Sequence, residues 1–234
     1  MTDVKKFEPK AIFRNAFNKA LQFQEPLAEK YVARLRRVHP DKSPEQLIRY
    51  INKWYLGTVG TSGAAAGASA AVPNGVVQLP VAVAELTAYT QASVFYVLAV
   101  AEVQGLHLDD LERRRLLVSS ALLGDIAAKK IIEGAVGPIA RHWGKTLVAG
   151  ISRDAIKAIN KVLGPRFITI TGSKMGVIVL GKQAPLMIGA ALGATMNVAF
   201  ASGVVKATKV IMGPAPQDWK QIEASPKAKK STNK

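Results

Sequence analysis

Along the first fifty residues apolar side chains recur every three or four positions, the spacing of one face of a helix. Phe13, Phe17 and Ala20 form such a stripe, with Lys10, Arg14 and Lys19 off it. This predicts an amphipathic helix from Pro9 to Gln24 that could lie on a core or on a bilayer. A second helix is expected from Leu27 to Val38, ended by His39-Pro40-Asp41-Lys42. Ser43 and Gln46 then form a capping box around Pro44, so a third helix starts there, with Leu47, Ile48, Ile51, Trp54 and Tyr55 on one face.

The pattern then changes from amphipathic to uncharged. Residues 54–101 hold Glu85 as their only charge, and residues 175–205 hold only Lys182. The run 54–84 has the length of a membrane span, but its first half, from Gly57 to Gly67, is made of small residues at three- and four-residue spacing. Such spacing lets two helix backbones approach closely, in water or in lipid. Pro73-Asn74-Gly75 breaks the run, and Val76 to Val103 reads as a helix that is apolar around its circumference, with Pro80 near its start and Glu85 inside it. A helix of that kind is buried by protein or by membrane.

Gly105 marks its stop, and Asp109 with Glu112 reads as the N-cap and third position of the next helix, followed by Arg113-Arg114-Arg115. From Leu116 to Gly164 the pattern is helical, interrupted at Gly124, Gly134, Gly137, Gly144 and Gly150, with Pro138 and Pro165 as further breaks. Ile168 to Leu180 carries both strand and helix signals, and helix is favoured. Residues 183–205 form a second uncharged stretch in which Gly189, Gly193 and Asn197 share a face. From Pro214 the chain is rich in proline and lysine and is expected to be disordered.

The expected fold is therefore all-α: a compact multi-helix bundle with glycine-zippered central helices. Its expected divisions are basic amphipathic helices over 1–56, a helical core over 57–213 and a tail over 214–234.

Charge adds the chemistry of a partner. Lys and Arg outnumber Asp and Glu by 32 to 16, a net charge of +16, which attracts polyanions such as nucleic acid or an anionic leaflet. Aromatic residues are only 6% and are not interleaved with the basic ones as base-stacking platforms, which puts nucleic acid second. Cysteine is absent, so disulfides, thiolate nucleophiles and thiolate-held zinc are excluded. The N-terminal MTDVKKFEPK lacks the apolar stretch of a secretory signal, so a cytoplasmic start is expected.

No catalytic constellation stands out. Gly176 to Gln183 has the G-x4-G-K spacing of a phosphate loop, but Gln183 occupies the place of the magnesium-binding hydroxyl and the loop positions are bulky and apolar. Gly144-Lys145-Thr146 lacks the leading glycine. Ser62 misses the G-x-S-x-G elbow by one position, and His39, His107 and His142 sit in no recognisable motif. No catalytic, cofactor-binding or metal site is expected.

Three polar residues of the uncharged stretches are candidates for a role inside the bundle. Glu85 is either a solvent-facing acid on one helix edge or a buried one that faces a polar cavity or takes Lys182 or another cation as partner. Asn197 reads as a hydrogen-bonding bridge between helices. Arg113, Arg114, Arg115, Lys129, Lys130, Arg141 and Lys145 are the candidate contacts to an anionic surface, where each adds on the order of 1 kcal/mol.

With these residues in hand, the chain resembles the EcsC family of bacterial proteins from about Gly57 to Met212. The likeness lies in Val72-Pro73-Asn74, Leu79-Pro80 to Glu85 with its apolar helix, Gly105-Leu-His-Leu-Asp109-Asp110, and Gln183-Ala-Pro-Leu-Met-Ile-Gly189 through Asn197. The resemblance implies that Glu85 is the counterpart of the acid that follows the family's proline motif, and it implies no catalytic residue. A more distant likeness is to the senescence-type domains of lipid-associated eukaryotic proteins.

The leading expectation is a helical protein without catalytic activity that binds anionic membrane or lipid through a basic surface. It would sit as a peripheral protein at the inner face of the membrane and need no cofactor. The alternatives are an oligomeric or accessory subunit of an envelope or transporter machine, and an unrecognised hydrolase using Glu85 or a histidine.

Overall fold

The computed structural model describes residues 8–69, 75–106, 108, 110–181 and 188–223. Among them are ten helices and no strand, as the periodicity predicts. Helices α1 (Pro9–Phe23), α2 (Glu25–Val38) and α3 (Pro44–Ser69) precede α4 (Gly75–Val103). Then come α5 (Leu111–Leu123), α6 (Asp125–Val136), α7 (Trp143–Gly150), α8 (Arg153–Gly181), α9 (Ile188–Met212) and the short α10 (Trp219–Glu223).

Helix α4 is the axis of the bundle. It packs against α1, α2, α3, α5, α8 and α9, so its apolar circumference is covered by protein on several sides. Leu86, Val94, Val97, Ala99, Ala101 and Val103 are all buried. Among the described residues, Pro80–Val103 is the one helical stretch long and apolar enough to cross a membrane, and 56% of its most apolar window is buried inside the bundle.

Aromatic residues fix the other helices to one another. Phe13 and Phe17 of α1 meet Phe167 of α8 with ring centroids 5.3 and 4.7 Å apart. Tyr55 of α3 stacks on Tyr96 of α4 at 4.4 Å, while Tyr31, Trp54 and Phe95 join α2, α3 and α4. The capping box is formed: Gln46 Oε1 accepts from Ser43 N at 2.9 Å, and Ser43 Oγ accepts from Gln46 N at 3.3 Å.

Small residues bring backbones together at particular points. A Cβ on Gly60 of α3 would lie 3.1 Å from Val198 of α9, and one on Gly144 would lie 2.9 Å from the Ile211 carbonyl oxygen. Gly57, by contrast, faces open space. The side chains of 63–69 and 188–194, where the two glycine stripes were drawn, lie outside the description.

Several boundaries differ from the sequence expectation. The division at residue 56 falls inside α3, and α1 to α3 share one hydrophobic cluster with the later helices. The N-cap of α5 is Asp110 and not Asp109, which lies outside the described residues. Asp110 Oδ1 accepts from Glu112 N at 2.9 Å and Arg113 N at 3.1 Å, while Oδ2 pairs with Arg153 at 2.8 Å. The Arg153 pairing gives that aspartate a second partner across to α8, which local periodicity does not reveal. Pro165 does not end a helix: it lies on the exposed side of α8, where water can solvate the Lys161 carbonyl that its missing N–H leaves.

The expected tail also begins later than Pro214. Trp219 Nε1 donates to the Lys42 carbonyl at 2.8 Å, with the Arg36 guanidinium 4.1 Å over its ring. Ile222 sits against Gly105, where φ is +72° and a Cβ would come within 2.8 Å of Ile222 Cγ2. Residues 224–234 lie outside the described chain.

The Phe13, Phe17 and Phe167 cluster carries a prediction. Phe167→Ala should lower unfolding stability by roughly 3–5 kcal/mol through the cavity it leaves, read from the denaturant midpoint at constant m-value. A loss below about 1 kcal/mol would show that these rings do not fasten α1 to α8.

Candidate functional site

Glu85 and Asn197, 112 positions apart in sequence, meet inside the bundle. Both are buried, at 7% and 3% exposure, so the solvent-facing alternative for Glu85 does not hold. Asn197 Nδ2 donates to Glu85 Oε1 at 3.1 Å and lies 3.4 Å from the Val59 carbonyl oxygen. The contact thus joins α3, α4 and α9, and a buried carboxylate requires hydrogen bonds of this kind to offset its desolvation. Lys182, the expected cation for Glu85, lies outside the described residues.

Four and eight residues beyond Glu85 on the same face of α4 stand Tyr89 and Ser93. The Tyr55 hydroxyl and Ser93 Oγ are 2.7 Å apart, and Ser93 Oγ also reaches the Tyr89 carbonyl at 2.8 Å. The Tyr89 hydroxyl is buried beside both, so the three hydroxyls form one polar cluster. One turn further on, Tyr96 donates to Asn52 Oδ1 at 2.8 Å. Burial disfavours the phenolate at each ring: Tyr89 is pushed up to about 12, and Tyr55 and Tyr96 are also raised. The sequence signal was present as Glu85, Tyr89 and Ser93 at four-residue spacing, but Tyr55 could be added only by the packing of α3 on α4.

Two open cavities flank this polar row. One of about 280 Å³ lies between α3, α4 and α9, with Glu45, Arg49, Gln104 and Lys209 on its wall. The other, of about 300 Å³, opens between α4, α5, α8 and α9 and includes Tyr89 and Thr171. Sequence reading found neither, since each is assembled from four helices or loops far apart in the chain.

The expected surface cations are used unevenly. Arg113, Arg114 and Arg115 are half-buried and turned to the protein: Arg113 donates to the Ile151 carbonyl at 3.3 Å, Arg114 to the Leu21 carbonyl at 2.7 Å and Arg115 to Asn18 Oδ1 at 3.0 Å. They tie α5 to the last turn of α1 and to the start of α8. Lys129 pairs with Glu133 at 3.5 Å. Lys145 is half-buried, and desolvation lowers its pKa. Lys130 and Arg141 are exposed.

A basic face lies elsewhere, on α1 and α8. These helices run antiparallel, with Lys10 beside Gly172 and Phe17 beside Phe167. Lys10, Arg14 and Lys19 of α1 and Lys157, Lys161, Arg166 and Lys174 of α8 are all exposed. Helix α1 contains no acid, and α8 contains only Asp154. Val162 and Ile170, at 43% and 38% exposure, stand among the α8 cations.

The groups weighed for hydrolysis are apart. Ser62 Oγ is engaged with the Val59 carbonyl at 3.0 Å, His39 lies against the Tyr50 ring and His142 Nδ1 is 2.7 Å from the Val210 carbonyl. His107 and the end of the phosphate-loop near-match lie outside the described residues. Among the described residues no group of three acid or histidine side chains is placed to hold a metal.

No family model, curated protein or solved structure matches this chain.

The buried phenols make stability sensitive to alkali. In the unfolded chain a tyrosine ionises near 10, whereas folded Tyr89 keeps its proton to about 12. Its contribution is therefore complete below pH 10 and is lost as pH rises toward 12, a difference of roughly 3 kcal/mol for a two-unit shift. Chemical denaturation between pH 9 and 12 should show this decline, and Tyr89→Phe should make it shallower. An unchanged slope in that variant would contradict the burial of the Tyr89 phenol.

Proposed function

We propose that this protein is a helical, non-catalytic membrane-associated protein that docks on an anionic leaflet through the face formed by α1 and α8. The observation that carries the reading is the outward side of α8. Lys157, Lys161, Arg166 and Lys174 are exposed along α8, as are Val162 and Ile170. Exposed cations interspersed with apolar side chains suit the boundary between head groups and acyl chains, where the apolar residues enter and the cations stay at the phosphates. Asp154 is highly exposed and within 3.8 Å of Lys157, and exposed Glu8 caps α1 beside Lys10, so acids moderate the field at both ends while the middle of the face carries none of the α1 or α8 acids.

The α1 cations extend this face. With each exposed Lys or Arg adding about 1 kcal/mol near an anionic leaflet, the seven side chains support association without a spanning helix. This reading moves the expected contact surface from Arg113 to Arg115, which are spent on internal carbonyls, to α1 and α8. The kinship with the EcsC family is part of the same proposal; its most specific motif, from Gln183 to Asn197, falls partly outside the described residues.

Flotation with phosphatidylcholine vesicles, with and without phosphatidylglycerol, tests the proposal. Binding should require the anionic lipid and weaken with salt. The triple variant Lys157→Glu, Lys161→Glu, Arg166→Glu should lose about 100-fold in affinity, from about 1 kcal/mol for each cation removed. Equal binding to neutral vesicles, or a triple variant that floats like the wild type, would overturn the reading. Salt-dependent binding of duplex DNA without vesicle binding would replace it with a nucleic-acid function.

A further inference from the structure

Along the chain the cations of α2 and the exposed rings of α3 stand apart, and packing brings them to one face. Tyr31 of α2 meets Trp54 of α3 with ring centroids 5.9 Å apart, and His39, at the end of α2, meets Tyr50 at 5.4 Å. The two helices are therefore antiparallel neighbours with rings in the seam between them. Trp54 and Tyr50 each keep 40% of their surface exposed, and Leu27 and Val38 of α2 are exposed as well.

The cations stand above the rings. Ala28, Val32 and Leu35 are the buried stripe of α2, and helical periodicity turns Lys30, Arg34 and Arg37 away from it. On α3 the buried stripe is Leu47, Ile51 and Tyr55, with Lys53 opposite. All four cations are exposed. Glu25 and Glu29 lie on the other flank of α2, toward Leu98 and Leu106, and Glu45 is paired with Arg49 at 2.6 Å. Asp41, exposed in the loop between the two helices, is an acid at one end of the seam.

This arrangement decides between anionic partners. A helix that enters a bilayer turns apolar side chains outward and keeps its cations to the sides. Here the crests of both helices are cationic and the rings lie lower, between them, as a positive track with stacking platforms below its rim. Tyr50 and Trp54 are four residues apart, about 6 Å along α3. Stacked nucleotides rise only about 3.4 Å. Two neighbouring bases resting on the two rings must therefore be unstacked from each other, which a single strand permits and a duplex does not.

We propose that the seam between α2 and α3 binds single-stranded nucleic acid, with bases on Trp54 and Tyr50 and phosphates at Lys30, Arg34, Arg37 and Lys53. Such binding is independent of leaflet docking, because it uses another face and needs no lipid.

Fluorescence anisotropy of a labelled oligothymidylate of about twelve nucleotides, titrated with the whole protein, tests it. Affinity should fall with salt at a logarithmic slope of about −3, as four phosphates on a single strand require. An abasic strand of the same length should bind at least about ten-fold more weakly, since it offers nothing to stack. Trp54→Leu, which keeps an apolar side chain against Tyr31 and Phe95, should narrow that difference. Arg34→Glu combined with Arg37→Glu, at exposed positions, should weaken binding at least about ten-fold with the melting temperature retained. The α8 variant Lys157→Glu, Lys161→Glu, Arg166→Glu should bind within about three-fold of the wild type at physiological salt, where distant charges are screened. Equal binding of the abasic strand, or an equal loss in the two charge variants, would overturn the proposal. So would indifference to the oligonucleotide together with vesicle binding that depends on Arg34 and Arg37, which would assign the seam to a membrane.

Discussion

An apolar helix of 29 residues is stabilised by removing its surface from water, and the arrangement of the other helices follows from covering α4. Six helices pack on it. The approach is close where a neighbour offers small residues, as α3 and α9 do around Gly60 and Val198, and where aromatic rings fill the corners between three helices. Because α3 both covers α4 and contains the expected boundary at residue 56, the N-terminal helices are part of the same core.

Burial of α4 determines what its polar groups must do. Glu85 cannot be solvated, so Asn197 and the Val59 carbonyl come to the same point; Ser93 and Tyr55 answer one another one layer further along the helix. The same requirement explains the arginines of α5. Carbonyl groups at the end of α1 and before α8 need donors, and Arg114 and Arg113 supply them with planar guanidinium groups that stay charged while half-buried.

Charge is what remains for the outside. With the acids of the first half partly used in caps and ion pairs and the α5 arginines turned inward, the positive excess is carried by exposed side chains such as those of α1 and α8. A protein built in this way presents cations to its surroundings and keeps much of its apolar helix inside the bundle.

The sequence by itself determined the helices, the capping box at Ser43, the turn at Gly105, the apolar character of α4 and the singularity of Glu85 and Asn197. All of these depend on local periodicity, on backbone chemistry within four residues, or on the contrast of one residue with its neighbours. Tertiary structure alone decided that Glu85 and Asn197 touch, that Tyr55 joins Ser93, and that Arg113 to Arg115 face inward while α1 and α8 carry the exposed cations. It also moved the cap to Asp110, carried α8 through Pro165 and docked Trp219 on α2 and the Lys42 carbonyl. Each of these depends on which distant carbonyl, ring or carboxylate lies across from a side chain, and no spacing along one helix encodes its neighbour.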